Sequence, residues 1–208
     1  MGSVMESINQ QVWHAMRTDP AIMRDLQRKL INMRALAKFL IDSHKLPASL
    51  DAVISSIRRF PMPTFYEEER ILHGIFRDSV VSTTNNIACL TVQVSPSEMI
   101  DKLPELKIPN VRMVTGTDKV KLLVKSDHAE KVSKTFKNTV VEQGLSEISV
   151  TVAEKATKTK GVMARIAAEI ALANINIHEL LVCPPQFLIY VQEKDIVKAH
   201  ERVLSLTE

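Results

Sequence analysis

Hydrophobic and polar positions follow two different periods along this chain. Between residues 6 and 60, apolar side chains recur three or four residues apart, as in Ile22, Leu26 and Leu30. This spacing is typical of helices that bury one face. After the polar run at residues 83–86, short β-rich segments alternate with helical ones. The pattern predicts an α+β protein that begins with an all-α part.

Short helices are predicted throughout residues 1–60. Asp19, Asn32 and Ser49 are residue types that cap helix N-termini, and each precedes an apolar stripe. Because the connections are short, we expect a compact helical bundle, in which the second to fourth helices have the lengths of a helix-turn-helix unit. Residues 1–60 are therefore assigned to a helix-turn-helix-like domain.

Prolines mark the end of the helical part. Pro61 and Pro63 interrupt the pattern because proline lacks an N–H donor and restricts the residue before it. Thr64 then begins a capping box for a further helix. We assign residues 61–85 to a connecting helix and linker.

The remaining sequence shows the same order of elements twice. Strand-like runs at residues 87–94 and 148–153 each precede a helix, a hairpin and a second helix, a β-α-β-β-α order that repeats after roughly 60 residues. In the first copy the last helix is predicted to end at Gly144. Residues 86–145 and 146–208 are assigned to the two copies, each one strand short of a ferredoxin-like unit.

An incomplete sheet of this kind needs a partner. Three strands with helices on one face leave edges and the other face uncovered, so we expect the two copies, or two chains, to pair. On these grounds the sequence predicts a homodimer.

The clearest motif lies between residues 160 and 177. Gly161 opens a helix with a helical apolar stripe, and an Asn-Ile-Asn-Ile run at residues 174–177 leads into a period-2 strand. Together with residues 187–191 and 195–199, this stretch resembles the ACT domain, a regulatory family, in the form found in aspartate kinases. The first copy lacks the glycine and the Asn-Ile-Asn run, so it is interpreted as a degenerate ACT-like repeat.

A small-ligand site is predicted around this helix. The first N–H groups of a helix lack intrahelical partners and carry partial positive charge, so the amides of Val162 and Met163 suit a carboxylate. The resemblance implies an amino-acid ligand at a dimer seam, where Asn174 and Asn176 offer a donor and an acceptor. Alternatively, Gly161 only eases a turn and Asn174 only ends the helix. The predicted ligand-binding residues are Lys160, Gly161, Val162, Met163, Asn174, Ile175 and Asn176.

Charge adds a second candidate surface. The formal net charge is only +3, but residues 1–60 hold nine Lys and Arg against five Asp and Glu. One interpretation is a solvated bundle. The other is a DNA-binding domain that contacts DNA through one helix. The candidate nucleic-acid-binding residues are Ser55, Ser56, Arg58 and Arg59.

The sequence contains no motif of a metal-binding protein or an enzyme. The six histidines lack metal-ligand spacing, and no phosphate loop or nucleophile motif occurs, so neither a metal, a cofactor nor catalysis is expected. Cys89 and Cys183 lie in apolar runs, which predicts reduced, buried thiols and a cytoplasmic protein without a membrane partner.

The leading hypothesis is an amino-acid-sensing regulator with the helical domain as output, for instance in transcription. The alternative is a non-catalytic ACT-type dimerisation scaffold, or a regulatory partner of a separate biosynthetic enzyme.

Overall fold

The computed structural model describes residues 6–61 and 66–208. It divides into two compact units, unit 1 (Met1–Glu68) and unit 2 (Glu69–Glu208). The capping box predicted at Thr64 lies outside the described residues. None of the helices in the described part of the chain has the length and apolar content to cross a lipid bilayer.

Unit 1 contains helices packed around one apolar core. They are α1 (Ile8–Arg17), α2 (Pro20–Gln27), α3 (Met33–His44) and α4 (Leu50–Arg58). The predicted caps are confirmed, since Asp19, Asn32 and Ser49 each accept a hydrogen bond from an amide of the first helical turn. Val12, Leu40 and Val53, from three different helices, are fully buried in the core.

Unit 2 is a mixed helical and sheet structure. Its elements in chain order are α5 (Tyr66–Arg77), which begins at the end of unit 1, β1 (Val80–Val92), α6 (Pro96–Leu106), β2 (Arg112–Thr115), β3 (Val120–Lys125), α7 (Ala129–Thr135), β4 (Thr139–Thr151), α8 (Val162–Leu172), β5 (Glu179–Cys183), β6 (Gln186–Gln192) and α9 (Ile196–Leu204). The strands form one antiparallel sheet in the order β2-β3-β1-β4-β6-β5.

Two long strands, β1 and β4, run through both halves of this sheet. Residues 87–92 of β1 pair with residues 139–145 of β4 beside β3, whereas residues 80–84 of β1 pair with residues 147–151 of β4 beside β6. In the described residues, each half therefore has four strands. The second half obtains its fourth strand from a segment that precedes the first half in sequence.

Two sequence predictions are corrected here. The polar run at residues 83–86 lies within β1, where the sequence predicts a linker. Helix α7 ends at Thr135, and residues up to Gly144 belong to β4, where the sequence predicts a helix. The additional strand segments are the reason why neither half is a strand short.

Each long strand contains one extra residue at its middle. The pairing register shifts twice between β1 and β4, and Asn86 and Gly144 have positive φ angles of 63° and 75° at these points. An extra residue of this kind is a β-bulge, which reverses the alternation of side chains beyond it. On β1, the side chains that face the helices have odd numbers in the second half, such as Val81, and even numbers in the first half, such as Leu90. Because the bulges reverse the alternation, the same side of the sheet faces helices in both halves.

Helices cover one face of the sheet with two apolar cores. In the first half α6 and α7 contribute Met99 and Val132, and in the second half α8 and α9 contribute Ile166 and Val203. Helix α5 is more than a connection, because Ile75 and Phe76 are buried in the second core.

On the opposite face of the sheet, side chains from the strands of the same chain bury one another. Ile87, Leu123, Leu145, Leu188 and Tyr190, together with Cys89, form a third buried cluster there. Lys121 on β3 and Glu179 on β5 form an ion pair across it.

That ion pair shows that the sheet is strongly curled. Three strands separate β3 from β5, about 19 Å in a flat sheet with strands about 4.8 Å apart, which is farther than a lysine and a glutamate side chain reach together. Because this face is covered within one chain, an uncovered sheet is no longer a reason to expect a homodimer. The dimer stays a prediction.

Candidate ligand site

The N-terminus of α8 is held by a glycine in a left-handed conformation. Gly161 has φ 88°, and its carbonyl accepts a hydrogen bond of 2.8 Å from the amide of Arg165. This conformation favours glycine because a Cβ atom would be strained. Helices α1 to α4 and α6 are capped by Ser, Asp or Asn side chains, whereas α7, α8 and α9 receive no side-chain cap from their N-cap positions, and of these three only α8 has a glycine there.

The surroundings of Gly161 give the helix end one apolar side and one open side. A methyl carbon of Leu72 in α5 lies 3.5 Å from the position a Cβ atom of Gly161 would take. Val162 is buried, whereas Lys160 and Met163 are exposed. A carboxylate approaching the first amides of α8 would therefore meet the Lys160 and Met163 side.

The far end of α8 has the features of a helix C-terminus. Asn174 has φ 58°, and its amide donates to the carbonyl of Ala171 at 2.9 Å. Lys198 of α9 donates from Nζ to the carbonyl of Ala173 at 2.8 Å. Asn174 and Asn176 are exposed, and Ile175 is buried. The local geometry therefore supports the helix-ending interpretation of Asn174.

The two ends of α8 are too far apart for one small molecule. The helix has 11 residues and is thus about 16 Å long at 1.5 Å per residue. The structure brings Lys160, Gly161, Val162 and Met163 together, and separately places Asn174, Ile175 and Asn176 beside one another. A single amino acid bound by residues of both sets would need the second set from another chain.

A buried carboxylate fixes α8 against α9. The i,i+4 spacing of Arg165 and Glu169 suggests an exposed pair, but Glu169 is only 6% exposed. Its two carboxylate oxygens contact Arg165 Nη2 at 3.1 Å and Arg202 Nη2 at 2.7 Å. Exposure is confirmed for Arg165 but was wrongly predicted for Glu169, because Arg202 of α9 lies against that carboxylate.

A polar cluster on the curled face was not found from the sequence. Glu147 is 8% exposed, accepts a hydrogen bond from the Tyr190 hydroxyl and lies 3.8 Å from Arg112 Nε. Burial, and then the hydrogen bond to Glu147, raises the pKa of Tyr190 above its ordinary value. These residues come from β2, β4 and β6, so no local spacing could indicate the cluster.

The thiol of Cys89 lies in the buried cluster on the same face of the sheet. Cys89 is buried as predicted, and burial raises its pKa. Un-ionised thiols are poor nucleophiles. Cys183 is exposed, so its predicted burial was wrong, and both cysteines are free. Among the described residues, no group of three or more His, Cys, Asp or Glu side chains could hold a metal ion.

The predicted nucleic-acid-binding residues differ in accessibility. Ser55 and Arg58 are exposed on α4. Arg59 is exposed but engaged, with its guanidinium donating to Asn9 Oδ1 and to the Ser55 carbonyl, both at 3.2 Å. Ser56 is completely buried, so its hydroxyl is unavailable to DNA and this part of the prediction was wrong.

Sequence comparison identifies no relative. No protein-family model matches the chain, and neither does any curated protein.

Comparison with solved structures does find similar folds. The regulatory subunit of aspartate kinase from Thermus thermophilus, in its ligand-free form, is 17% identical with a TM-score of 0.51, and the match covers 62% of this chain and 96% of that one. The regulatory subunit from Thermus flavus is 15% identical with a TM-score of 0.53, covering 62% and 97%. The aspartate kinase of Clostridium acetobutylicum is 15% identical with a TM-score of 0.52, covering 62% and 34%.

These matches show the fold of the 62% of this chain that they cover. The chain spans about a third of the length of the whole Clostridium enzyme but nearly all of each regulatory subunit. At such low identity the likeness concerns the fold alone. The mixed helical and antiparallel sheet structure is an ACT-type regulatory domain fold, as the resemblance at residues 160–199 predicts.

Proposed function

We propose that this protein is an amino-acid-sensing regulator in which the end of α8 at Gly161 binds the ligand carboxylate. The proposal gives the chain a binding role and not a catalytic one. The observation that carries it is the left-handed, side-chain-free cap at Gly161, on a fold shared with regulatory subunits of an amino-acid kinase. The two halves of the sheet are interpreted as two ACT-type repeats.

The chemistry at this end of the helix suits a carboxylate. The amides of Val162 and Met163 point out of the first turn, where the helix dipole is positive. Lys160 adds a positive charge on the open side. Asn174 and Asn176 of a second chain would supply the donor and acceptor for the remaining polar groups of an amino acid.

Helix α5 offers a route for the signal. Leu72 lies 3.5 Å from the position that a Cβ atom of Gly161 would take, and α5 begins at the end of unit 1. A ligand that binds more tightly when α5 has one packing arrangement shifts the population towards that arrangement. Unit 1 would thereby be presented differently with and without ligand.

A thermal-shift screen with the twenty common amino acids tests the proposal. We expect one or a few of them to raise the melting temperature, since a ligand at 100 times its Kd stabilises the folded state by about 2.7 kcal/mol. Gly161→Ala should lose this response because alanine strains the left-handed backbone by about 1–2 kcal/mol, and relief of that strain would displace the first amides of α8.

Gly144→Ala is the matched control for that variant. Gly144 also has a left-handed backbone, and a Cβ atom there would meet no other atom within 4 Å. This variant should lose similar stability but keep the ligand response. The absence of any shift at millimolar concentrations, in a wild-type protein that melts cooperatively, would contradict amino-acid sensing at this site.

The alternative function is that of a regulatory subunit for a separate enzyme, without a ligand of its own. It is favoured by the fact that the match covers nearly the whole of two regulatory subunits, which are chains of their own. Under this alternative, all amino acids leave the melting temperature unchanged in the wild-type protein as well as in both glycine variants.

DNA binding by unit 1 is the proposed output. Replacing Arg58 and Arg59 together with Ala should weaken binding to mixed-sequence duplex DNA. It should also reduce the slope of log K against log salt by about 1.8, since each lost phosphate contact contributes about 0.9. The double variant Arg34→Ala, Lys38→Ala removes the same charge from exposed positions on α3 and is the control. Equal effects of the two double variants would indicate non-specific attraction and would contradict a role for α4.

A further inference from the structure

One side of α9 carries exposed apolar residues next to a cleft. Val197 and Leu204 are 68% and 44% exposed, and with His200 and Glu201 they follow the i, i+3, i+4, i+7 spacing of one helical stripe. We call these four residues the α9 stripe. It is separate from the buried side of the helix, which includes Ile196, Ala199 and Val203.

The cleft runs between the α9 stripe and strand β1. It has a volume of about 370 Å³ and is lined by Thr83 and Asn85 of β1 together with the stripe and Ile196. The walls are apolar at both ends of the stripe and polar in the middle. The side chains that a partner helix places in this cleft must therefore present the same order of groups.

We propose that the α9 stripe is the interface of a homodimer in which two α9 helices pack antiparallel across a two-fold axis. The axis passes between His200 and Glu201. Val197 of one chain then contacts the partner's Leu204, and His200 faces the partner's Glu201. The two-fold axis repeats both contacts, as an isologous interface requires.

Charge complementarity selects this arrangement. In the antiparallel pair, each imidazole N–H can donate to a carboxylate of the other chain, so both polar residues at the centre are satisfied when water is removed. A parallel pair would place histidine beside histidine and glutamate beside glutamate. The order apolar, His, Glu, apolar is thus complementary to its own antiparallel copy.

The expected dimer is weak and reversible. Helix α9 has nine residues, about 14 Å, so the contact lies at the small end of specific interfaces. We expect a dissociation constant in the micromolar range. This inference does not depend on amino-acid binding at Gly161, and it gives the predicted homodimer an interface that does not require an uncovered sheet.

Sedimentation velocity of the full chain, over a concentration range of about 1 to 100 μM, tests the proposal. Wild-type protein should show a reversible monomer–dimer equilibrium. Glu201→Lys should raise the dissociation constant by about tenfold or more, since it places a cation beside each partner's His200. The double variant His200→Glu, Glu201→Lys exchanges the two groups and should restore dimerisation.

Glu105→Lys is the charge-matched control. Glu105 is exposed on α6, so this variant changes the net charge equally but should leave the dimer intact. Circular dichroism of each variant establishes that it is folded. A wild-type chain that stays monomeric at 100 μM would overturn the proposal. So would a dimer that Glu201→Lys and Leu204→Lys leave unchanged, or a charge exchange that fails to restore association.

Discussion

Replacing Tyr190 with Ala should lower the free energy of unfolding of unit 2 by about 3–5 kcal/mol. Tyr190 is completely buried in the cluster on the curled face of the sheet. Removing the ring leaves a cavity there and also leaves Glu147 without its hydroxyl donor. Because a domain is typically stable by only about 5–15 kcal/mol, this variant should be close to unfolding in urea titrations.

Tyr190→Phe separates the hydroxyl from the ring. This variant keeps the apolar volume but leaves the buried Glu147 carboxylate without one hydrogen bond, which costs about 1–3 kcal/mol. In a double-mutant cycle with Glu147→Ala, which removes the acceptor, the two losses should not add. Additive losses would show that the contact between Tyr190 and Glu147 contributes nothing to stability.

The stability of unit 2 should also depend on alkaline pH through Tyr190. Burial and the hydrogen bond to Glu147 raise the pKa of Tyr190 in the folded state above the value of about 10 for an unfolded chain. Above that pH the unfolded state releases a proton that the folded state retains, so the free energy of unfolding falls by about 1.4 kcal/mol per pH unit. The effect is absent below pH 10 or so, and Tyr190→Phe should abolish this part of the slope.

Deleting Gly144 should prevent unit 2 from folding. The deletion removes the bulge residue of β4 but leaves the bulge of β1, so one part of β4 must shift by one position. A one-residue shift exchanges the two faces of a strand. If residues 145–151 shift, Ile148 and Val150 leave the helix-covered core and Leu145 leaves the curled face; if residues 139–143 shift, that segment exchanges its faces instead. Far-UV and near-UV circular dichroism should report the loss of the folded sheet.

Gly144→Asn provides the comparison for the deletion. Asparagine tolerates a left-handed backbone, and no other atom would contact its Cβ within 4 Å. This variant should fold with a loss of roughly 1 kcal/mol or less. If the deletion variant retained native dichroism and cooperative unfolding, the bulge would not determine which residues face the helices.

The parts of the fold that local patterns determine could be predicted. The caps at Asp19, Asn32 and Ser49 act within one helical turn, and the sequence alone locates them. The same is true of Gly161, whose left-handed backbone agrees with a glycine at the start of a helix.

The errors lie where distant contacts override a local pattern. Val132, Phe136 and Val140 are spaced like one face of a helix, but Val140 pairs with Thr91 in the sheet. A glycine after such a run indicates a helix end, whereas Gly144 is a bulge. The contact between Glu147 and Tyr190 joins residues 43 positions apart, so neither residue could be recognised from its neighbours.

The path of β1 affects the order in which the two halves of the sheet can fold during synthesis. Residues 80–84 leave the ribosome before the whole first half of the sheet, yet they pair with residues 147–151 of the second half. The first half can pair its strands as soon as residue 145 is available. The second half cannot complete its core until α9 has been synthesised, and until then residues 80–84 stay exposed. Such long-range pairing is slow. Any chain shortened before β6 would therefore carry a finished first half attached to an unfinished, aggregation-prone second one.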